Sequence, residues 1–449
     1  MAHSFRGGVH PKYKKHTYAS PIEVLEPSEI YIFPLLQHIG AVLEPVVNVG
    51  DKVLMGQKIA DSSAPVSAPV HSSVSGIVTA IEPRYSANGS KVMSIIIKND
   101  FLDIPCEKAV PVPDKPIEEL TPEDIINIAR EAGLVGMGGA AFPTHIKIKA
   151  AVDKKVDTLI INGAECEPYI TADHRAMIEY PRPISGGIKL IMQALNLKHA
   201  FIGIEDNKED AAATMKAVLK NSGVEIKELR TKYPQGGEKQ LIKAIAGKEV
   251  PPGKLPMDIG CVVFNVDTCA CLYRAVNNKA PLIKRVVTVS GTCISHPKNL
   301  LVRLGTPIAD LINVCGGFVK DPKKVIMGGP MMGLAQHTLE VPIIKSSSAV
   351  LFFGPKDDKY ERNPVCIRCG KCISVCPVNL MPIYINMFAE KGLYEECEKL
   401  NAADCIECGS CSYICPGRLY LVQTIRMSKD EINRKNKNKK EQKGADNNE

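Results

Sequence analysis

Two stretches near the carboxyl end hold the residues best suited to chemistry. CIRCGKCISVCP runs from Cys366 to Pro377, and CIECGSCSYICP runs from Cys405 to Pro416. Each is C-x2-C-x2-C-x3-C-P. Thiolates are soft ligands suited to iron–sulfur clusters, and three at this spacing wrap one face of a cubane. The fourth lies too far round the turn and reaches the other cluster of a pair. The expected ligand sets for two [4Fe–4S] clusters are therefore Cys366, Cys369, Cys372 and Cys415, and Cys405, Cys408, Cys411 and Cys376. Pro377 and Pro416 turn the chain away. Zinc knuckles pair C-x2-C units without the x3-C-P ending.

Cys397 falls outside this pattern and reads as a spare thiol. Cys106, Cys166, Cys261, Cys269, Cys271, Cys293 and Cys315 read as small buried apolar residues. The pair at 269 and 271, taken as a strand, has too few partners to clamp a metal.

Clusters pass single electrons, so something must supply or accept them. GLVGMGGAAFPTHIK, from Gly133 to Lys147, is the second chemical signal. Its glycines let backbone N–H groups approach an anion closely, and it closes on a lysine. It is neither G-x-x-x-x-G-K-[ST] nor a clean G-x-G-x-x-G.

The elements that must position these residues are legible in outline. TPEDIINIAREAG reads as a helix with Thr121 as N-cap, Pro122 in its first turn and Gly133 ending it. DTLIINGAECEP is a strand running into a turn. HAFIGIEDNKEDAAATMKAVLKNSGVEIKEL reads as strand, helix, strand. Residues 121–280 thus form a Rossmann-like α/β domain with a mostly parallel sheet, where ligands sit beyond the carboxyl ends of strands. Residues 1–110 are β-rich and resemble a biotinyl/lipoyl-type barrel-sandwich, but DSSAPVSAP has no lysine for a prosthetic group. Residues 284–345 read as a small α+β module. The dicluster segment covers 360–425 with a helical insert, and 428–449 reads as a disordered basic tail.

The chain has 449 residues, 45% apolar and 23% charged, with net charge +7 partly in the tail. That is ordinary globular composition with room for several domains. Tryptophan is absent and aromatics are 5%, which argues against a nucleic-acid binder built on stacked bases. No apolar run is long enough to span a bilayer, and the start lacks a signal-peptide apolar stretch. The expected compartment is the reducing cytosol.

GMGGAAFPTHIK and NGAECEP (162–168), with YPQGGE (233–238) and FNVDT (264–268), resemble the flavin- and NADH-binding subunit of respiratory complex I. That family carries G-R-G-G-A-G-F-P-x-G-x-K, N-A-D-E-S-E-P, Y-x-x-G-E-E and N-N-V-E-T-L in the same order. The whole arrangement, from FRGGVHP to the dicluster end, resembles the C subunits of Rnf complexes, membrane ferredoxin:NAD+ oxidoreductases coupled to ion pumping. The resemblance implies FMN held by Gly136, Gly138, Gly139, Lys147 and Asn162. It places Glu165 and Glu167 as ligand-orienting groups, Glu167 against bound NAD(H), and Phe142 on the adenine. Gly236 and Glu238 match the third motif, and Asn265 and Thr268 the fourth. Met137, Ala164 and Gly237 depart from the family pattern, replacing an arginine, an aspartate and a glutamate.

The implied fold class is a multidomain α/β chain. It joins an N-terminal barrel-sandwich β module, the flavodomain, a soluble-ligand-binding β-grasp module at 284–345 and a C-terminal two-[4Fe–4S] ferredoxin-like α domain. No catalytic side-chain acid or base is expected. The implied role is electron transfer between the clusters, FMN and NAD(H) in a peripheral subunit on the cytoplasmic face of the cell membrane. Other members of the complex would be its partners, ferredoxin an indirect one, and nucleic acid none. Two alternative readings are a cobalamin reductase of the propanediol-utilisation type and a non-catalytic electron-relay scaffold, which the three departures would favour. The complex I flavoprotein itself carries only one such cysteine run.

Overall fold

The structure is a computed structural model that describes residues 2–357 and 364–446. Residues 360–363 of the expected dicluster segment and the last three residues of the expected tail lie outside the described residues.

Short β-branched runs build the parallel sheet that carries the glycine loop. Its order is Val224–Leu229, Ala200–Glu205, Thr158–Gly163, Cys261–Asn265, and every pairing is parallel. The inner strand Thr158–Gly163 buries Leu159, Ile160 and Ile161 completely, as a strand covered on both faces requires. Helix Pro122–Glu131 leads into the loop. Thr121 Oγ1 accepts from Asp124 N at 3.2 Å while Asp124 Oδ2 accepts from Thr121 N at 2.7 Å. Such a reciprocal cap stabilises a helix start by about 1 kcal/mol. The helix seats fully buried Ile125 and Ile128 in the core, each contributing roughly 1.5–3 kcal/mol.

The N-terminal module is two small antiparallel sheets. One runs Ile30–Pro34, Lys91–Asn99, Gly76–Tyr85, Lys52–Val53; the other runs Glu44–Pro45, Lys58–Asp61, Val70–His71. A third, six-stranded sheet runs Ile22–Val24, Lys298–Arg303, Lys284–Gly291, Ala349–Phe353, Lys324–Met327, Leu334–Gln336. The barrel, the flavodomain and this sheet share one continuous hydrophobic core. The cysteine segment has small cores of its own, around Ile385, Cys397 and Ile425 and around Leu421 and Val422.

Four expectations are corrected. The six-stranded sheet reaches beyond 284–345, because Ile22–Val24 pairs with Lys298–Arg303 and Ala349–Phe353 pairs with Lys284–Gly291. The first twenty residues do not belong wholly to the barrel: His3 N donates to Glu228 O, and Val9 and Tyr233 exchange backbone bonds on the flavodomain. Cys269 and Cys271 lie on helix Val266–Asn278, not on a strand. The tail is not disordered where it is described: Leu421–Asp446 is one helix. Leu421, Ile425, Ser428 and Ile432 recur at helical spacing and are all buried. The charge of the tail hides that stripe from a compositional reading.

Candidate functional site

Asn162 and Asn265 are register partners at the carboxyl ends of adjacent parallel strands. The other two motifs close on this point. Asn162 Nδ2 donates to Gly236 O at 2.9 Å, and its Oδ1 accepts from Ala164 N at 3.1 Å. Gly236 N donates to Cys166 Sγ at 3.3 Å. Asn265 caps helix Val266–Asn278, accepting from Asp267 N at 2.8 Å, and its Nδ2 donates to Asp173 Oδ2 at 2.7 Å.

The glycine loop is folded back on itself by Gly136 N to Phe142 O at 2.8 Å, and Thr268 Oγ1 accepts from Met137 N at 3.1 Å. A Cβ on Gly138 would stand 2.8 Å from Asn265 Nδ2, so only glycine fits there. A Cβ on Gly139 would meet nothing within 4 Å, which leaves that backbone facing open space. Among the described residues, the N–H groups of Gly138 and Gly139 have no protein acceptor. Phe142 is half-buried. Lys147 stands in the first turn of helix Thr144–Asp153. Its Nζ meets Glu238 Oε1 at 2.7 Å and lies 5.5 Å from the Phe264 ring centroid. Glycine backbone, open N–H groups and a lysine beside them fit a flavin mononucleotide with its phosphate.

The structure thus gathers all twelve expected residues around the carboxyl edge of one sheet, with different tasks for two. Glu165 accepts from Asp173 N at 2.7 Å and His174 N at 3.1 Å, capping helix Ala172–Glu179. Glu167 accepts from Met331 N and Met332 N, each at 3.0 Å, clamping the turn to the β-grasp loop. Each carboxylate oxygen thus already accepts one backbone N–H, which holds both side chains to the protein. Burial pushes the Glu167 carboxyl up to about 7. Burial, with Glu165 and Asp267 nearby, pushes Asp173 up to about 7 as well. Sequence reasoning misses Asp173; a lone aspartate ten residues past a strand carries no signal.

Seven of the eight expected thiols fall into two neighbouring groups, with Cys411 in both, and Cys369 stands exposed at the edge. One cavity is lined by Cys376, Cys405, Cys408 and Cys411. Cys372 packs with Cys366 and Cys415. Among the described residues no three His, Cys, Asp or Glu side chains converge on a single-ion site. Four thiols lining one cavity match the ligand number of a [4Fe–4S] cluster. Backbone N–H groups point at the sulfurs: Arg368 N to Cys366 and Glu407 N to Cys405 at 3.4 Å, and Leu380 N to Cys376 at 3.3 Å. Such bonds stabilise thiolates and tune cluster potentials.

The two sets differ in place. Cys369 is exposed, whereas Cys408 and Cys411 are buried. Cys408 packs with Cys166, Val9 and Tyr233, and Tyr233 Oη donates to Cys408 O at 2.7 Å. Gly8 N donates to Val375 O at 2.8 Å, joining the N-terminal segment to the first run. The inner thiol set is therefore seated directly on the turn that carries Asn162 and Glu165.

Comparison with known proteins agrees with this geometry. The Nuo51 FMN-binding domain matches residues 129–274, and the RnfC barrel sandwich hybrid domain matches residues 3–102. The SLBB domain matches 286–335, and the 4Fe-4S dicluster domain matches 365–440. The fold class expected from sequence is thereby borne out, as are FMN and the two clusters. In a crystal structure of an NAD+-reducing [NiFe]-hydrogenase, one chain shares the fold, with TM-score 0.50 and 19% identity over 70% of this chain and 62% of that one. The C subunit of the proton-translocating ferredoxin:NAD(+) oxidoreductase complex of Clostridium ljungdahlii is 48% identical, covering 96% of this chain and 94% of its own. Its counterpart in the Na(+)-translocating complex of Acetobacterium woodii is 45% identical, covering 96% and 97%. With a flavin loop, a dicluster fold and relatives matched along nearly their whole length, the chain belongs to the RnfC family, the C subunits of ion-translocating ferredoxin:NAD+ oxidoreductase complexes.

Proposed function

We propose that this chain is the NAD(H)-facing subunit of such a complex, with single electrons entering or leaving at the exposed Cys369 side and hydride exchanged at the glycine loop. Two packed clusters support this order of stations: Cys408 groups with Cys166 of the flavin turn, and Cys411 with Cys372, Cys366 and Cys415 of the outer set. FMN, when bound, supplies the interconversion of two-electron and one-electron chemistry. The chain supplies position. Gly138 and Gly139 open the backbone to the cofactor, Lys147 takes the phosphate in exchange for Glu238, and Asn162, Gly236, Asn265 and Thr268 fix the walls. Gly136 bends the loop through its bond to Phe142. The Phe142 ring offers a face for the adenine of the dinucleotide. Glu165 and Glu167 act on the turn itself, holding its shape against a helix start and the β-grasp loop.

The chain is expected to sit peripherally on the cytoplasmic face of the membrane, held by partner subunits. No helix among the described residues is long and apolar enough to cross a bilayer. The FMN-binding match spans Met137, Ala164 and Gly237, which removes the support those departures gave to a flavin-free scaffold. The relatives are matched along nearly their full length as oxidoreductase subunits, which leaves the corrin-reductase reading without an observation of its own.

The test is iron, sulfide and flavin per purified chain, followed by Lys147→Ala. The expected result is two cubanes and one FMN in the parent, with flavin lost and iron retained in the variant. A variant with stoichiometric flavin would count against the loop assignment.

A further inference from the structure

The N-terminal segment delivers a half-buried lysine beneath the flavin turn. Lys15 Nζ makes three hydrogen bonds, to Glu165 O at 2.7 Å, Glu167 O at 2.9 Å and Ile170 O at 2.5 Å. All are backbone carbonyls; none is a carboxylate. Lys208, which is buried, donates to Ala164 O at 2.7 Å, Glu205 Oε2 at 2.7 Å and Asn207 Oδ1 at 3.0 Å. Two cations therefore hold the carbonyl ends of the consecutive 164–165 and 165–166 peptides.

In a trans peptide the C=O of one residue and the N–H of the next point opposite ways. The N–H groups of Glu165 and Cys166 are thus turned away from the cations. Among the described residues neither has a protein acceptor. Glu165 adopts φ 49°, left-handed backbone that non-glycine residues seldom take. Its carboxylate is drawn off to the helix start at Asp173, which leaves the backbone as the surface of the turn. The pattern repeats behind the glycine loop. Arg285, 1% exposed, donates from Nη2 to Met137 O at 3.3 Å, and Lys345 Nζ donates to Gly133 O at 2.7 Å.

Withdrawing an ammonium from water, even in part, with no carboxylate to pair it is costly. Burial, and then Lys208, lower the Lys15 ammonium to about 8, with Glu165 and Glu205 partly offsetting them. The arrangement is favourable where negative charge arrives on the other side of the turn. Hydride transfer from NADH adds two electrons and one proton to FMN, releases NAD+ and leaves the flavin one unit more negative. Position 137 lacks the arginine of the complex I pattern, and the cations reach this site from other segments instead.

Resting on the reading that this turn faces the flavin, we propose that Lys15, with Lys208 beside it, is a positioning residue for the cofactor. It aims the Glu165 and Cys166 N–H groups at the flavin and favours the reduced, electron-rich form. The unusual element is its origin: a lysine fifteen residues into the chain, outside the flavodomain, sets the flavodomain's redox balance.

The experiment is anaerobic spectroelectrochemistry of the flavin in the holoprotein, with both clusters in place, comparing the parent with Lys15→Arg, Lys15→Gln and Lys15→Met. Lys15→Met and Lys15→Gln are expected to lower the ratio of reduced to oxidised flavin at fixed potential about tenfold, a shift of about 30 mV for a two-electron couple. Lys15→Arg is expected to stay close to the parent, and the cluster signals to stay unchanged in all three. An unshifted potential in both neutral variants, or an equal shift in Lys15→Arg, overturns the proposal. If Lys15→Met does not fold, Lys15→Gln decides by the same criterion. Flavin lost from the neutral variants but kept by Lys15→Arg supports it, and flavin lost from all three overturns it. A parent protein that binds no FMN would instead overturn the reading of the turn, which separates the two failures.

Discussion

At Arg368 and Glu407 the two cysteine loops take the same left-handed step, with φ 57° and 55°. The glycines two residues on, Gly370 and Gly409, match as well at φ 72° and 79°. What lies around them does not match. Arg368, Cys369 and Lys371 are exposed. Glu407 is instead paired with Arg426 at 2.8 Å and Lys429 at 2.6 Å, and Cys408, Gly409 and Ser410 are buried. The ligand geometry of a cubane fixes the loop backbone, while burial and neighbours set the potential and the accessibility of each cluster. One motif used twice thus gives an inner and an outer station without any change in ligation.

The largest expected difference between the loops comes from the paired glycines. Alanine at Gly370 meets nothing within 4 Å and bears only the left-handed strain, roughly 1–2 kcal/mol. Alanine at Gly409 bears the same strain and also places a Cβ 2.8 Å from Met331 O, a backbone atom that cannot swing aside. Gly409→Ala is therefore expected to cost at least roughly 1 kcal/mol more, by the usual scale of overpacking, and to loosen the dicluster segment from the flavodomain. Thermal unfolding of the two variants checks this, and equal losses would break the comparison. Tyr233→Phe removes the bond to Cys408 O and leaves that buried carbonyl without its donor. The expected cost is about 1–3 kcal/mol, read as protease sensitivity of the segment after residue 364.

A pH effect separates the inner side next. Glu167 joins the flavin turn to the β-grasp loop that abuts Gly409. Its carboxyl is raised by burial from 4.5 to about 7, so the folded state binds more protons than the unfolded state between these values. Stability is then highest below pH 4.5 for this group and falls as pH rises to about 7. Glu167→Gln is expected to flatten that fall in part, since Asp173 is raised in the same direction and remains. Melting temperatures across pH 5 to 8 measure it, and an unchanged slope would sink the assignment. The smallest effect belongs to the outer loop. Arg368→Gln is expected to change stability by no more than about 0.5 kcal/mol, because the residue is exposed.

The sequence carries the chemistry further than the assembly. The cysteine spacing is local, so a dicluster domain can be read without a structure. Thr121, Pro122 and Asp124 announce their helix because a cap is made within four residues. The strand-end position of Asn162 follows from the apolar run before it, whereas the strand ending at Asn265 shows only in the structure. The rest depends on contacts between distant segments. Nothing in FRGGVHPKYKK says that Lys15 will grip carbonyls some 150 positions away. Ile22–Val24 is too short to show which sheet it joins. Glu165 and Glu167 look like ligand groups in sequence because the donors that occupy them, a helix start and a β-grasp loop, are invisible there. The tail helix is hidden by its own charge, although Ile425 and Ile432 mark the buried stripe.

If the inner thiol set lies next to the flavin and the outer set does not, the two clusters must differ in how fast they exchange electrons with NAD(H). The most direct measurement uses two single-cluster variants, Cys369→Ser and Cys408→Ser, each verified by iron content, chemically reduced, and mixed with NAD+ while the surviving cluster's absorbance is followed. Rapid reoxidation is expected in Cys369→Ser, where the inner cluster remains, and reoxidation slower by orders of magnitude in Cys408→Ser. Equal rates, or the reverse order, would contradict it.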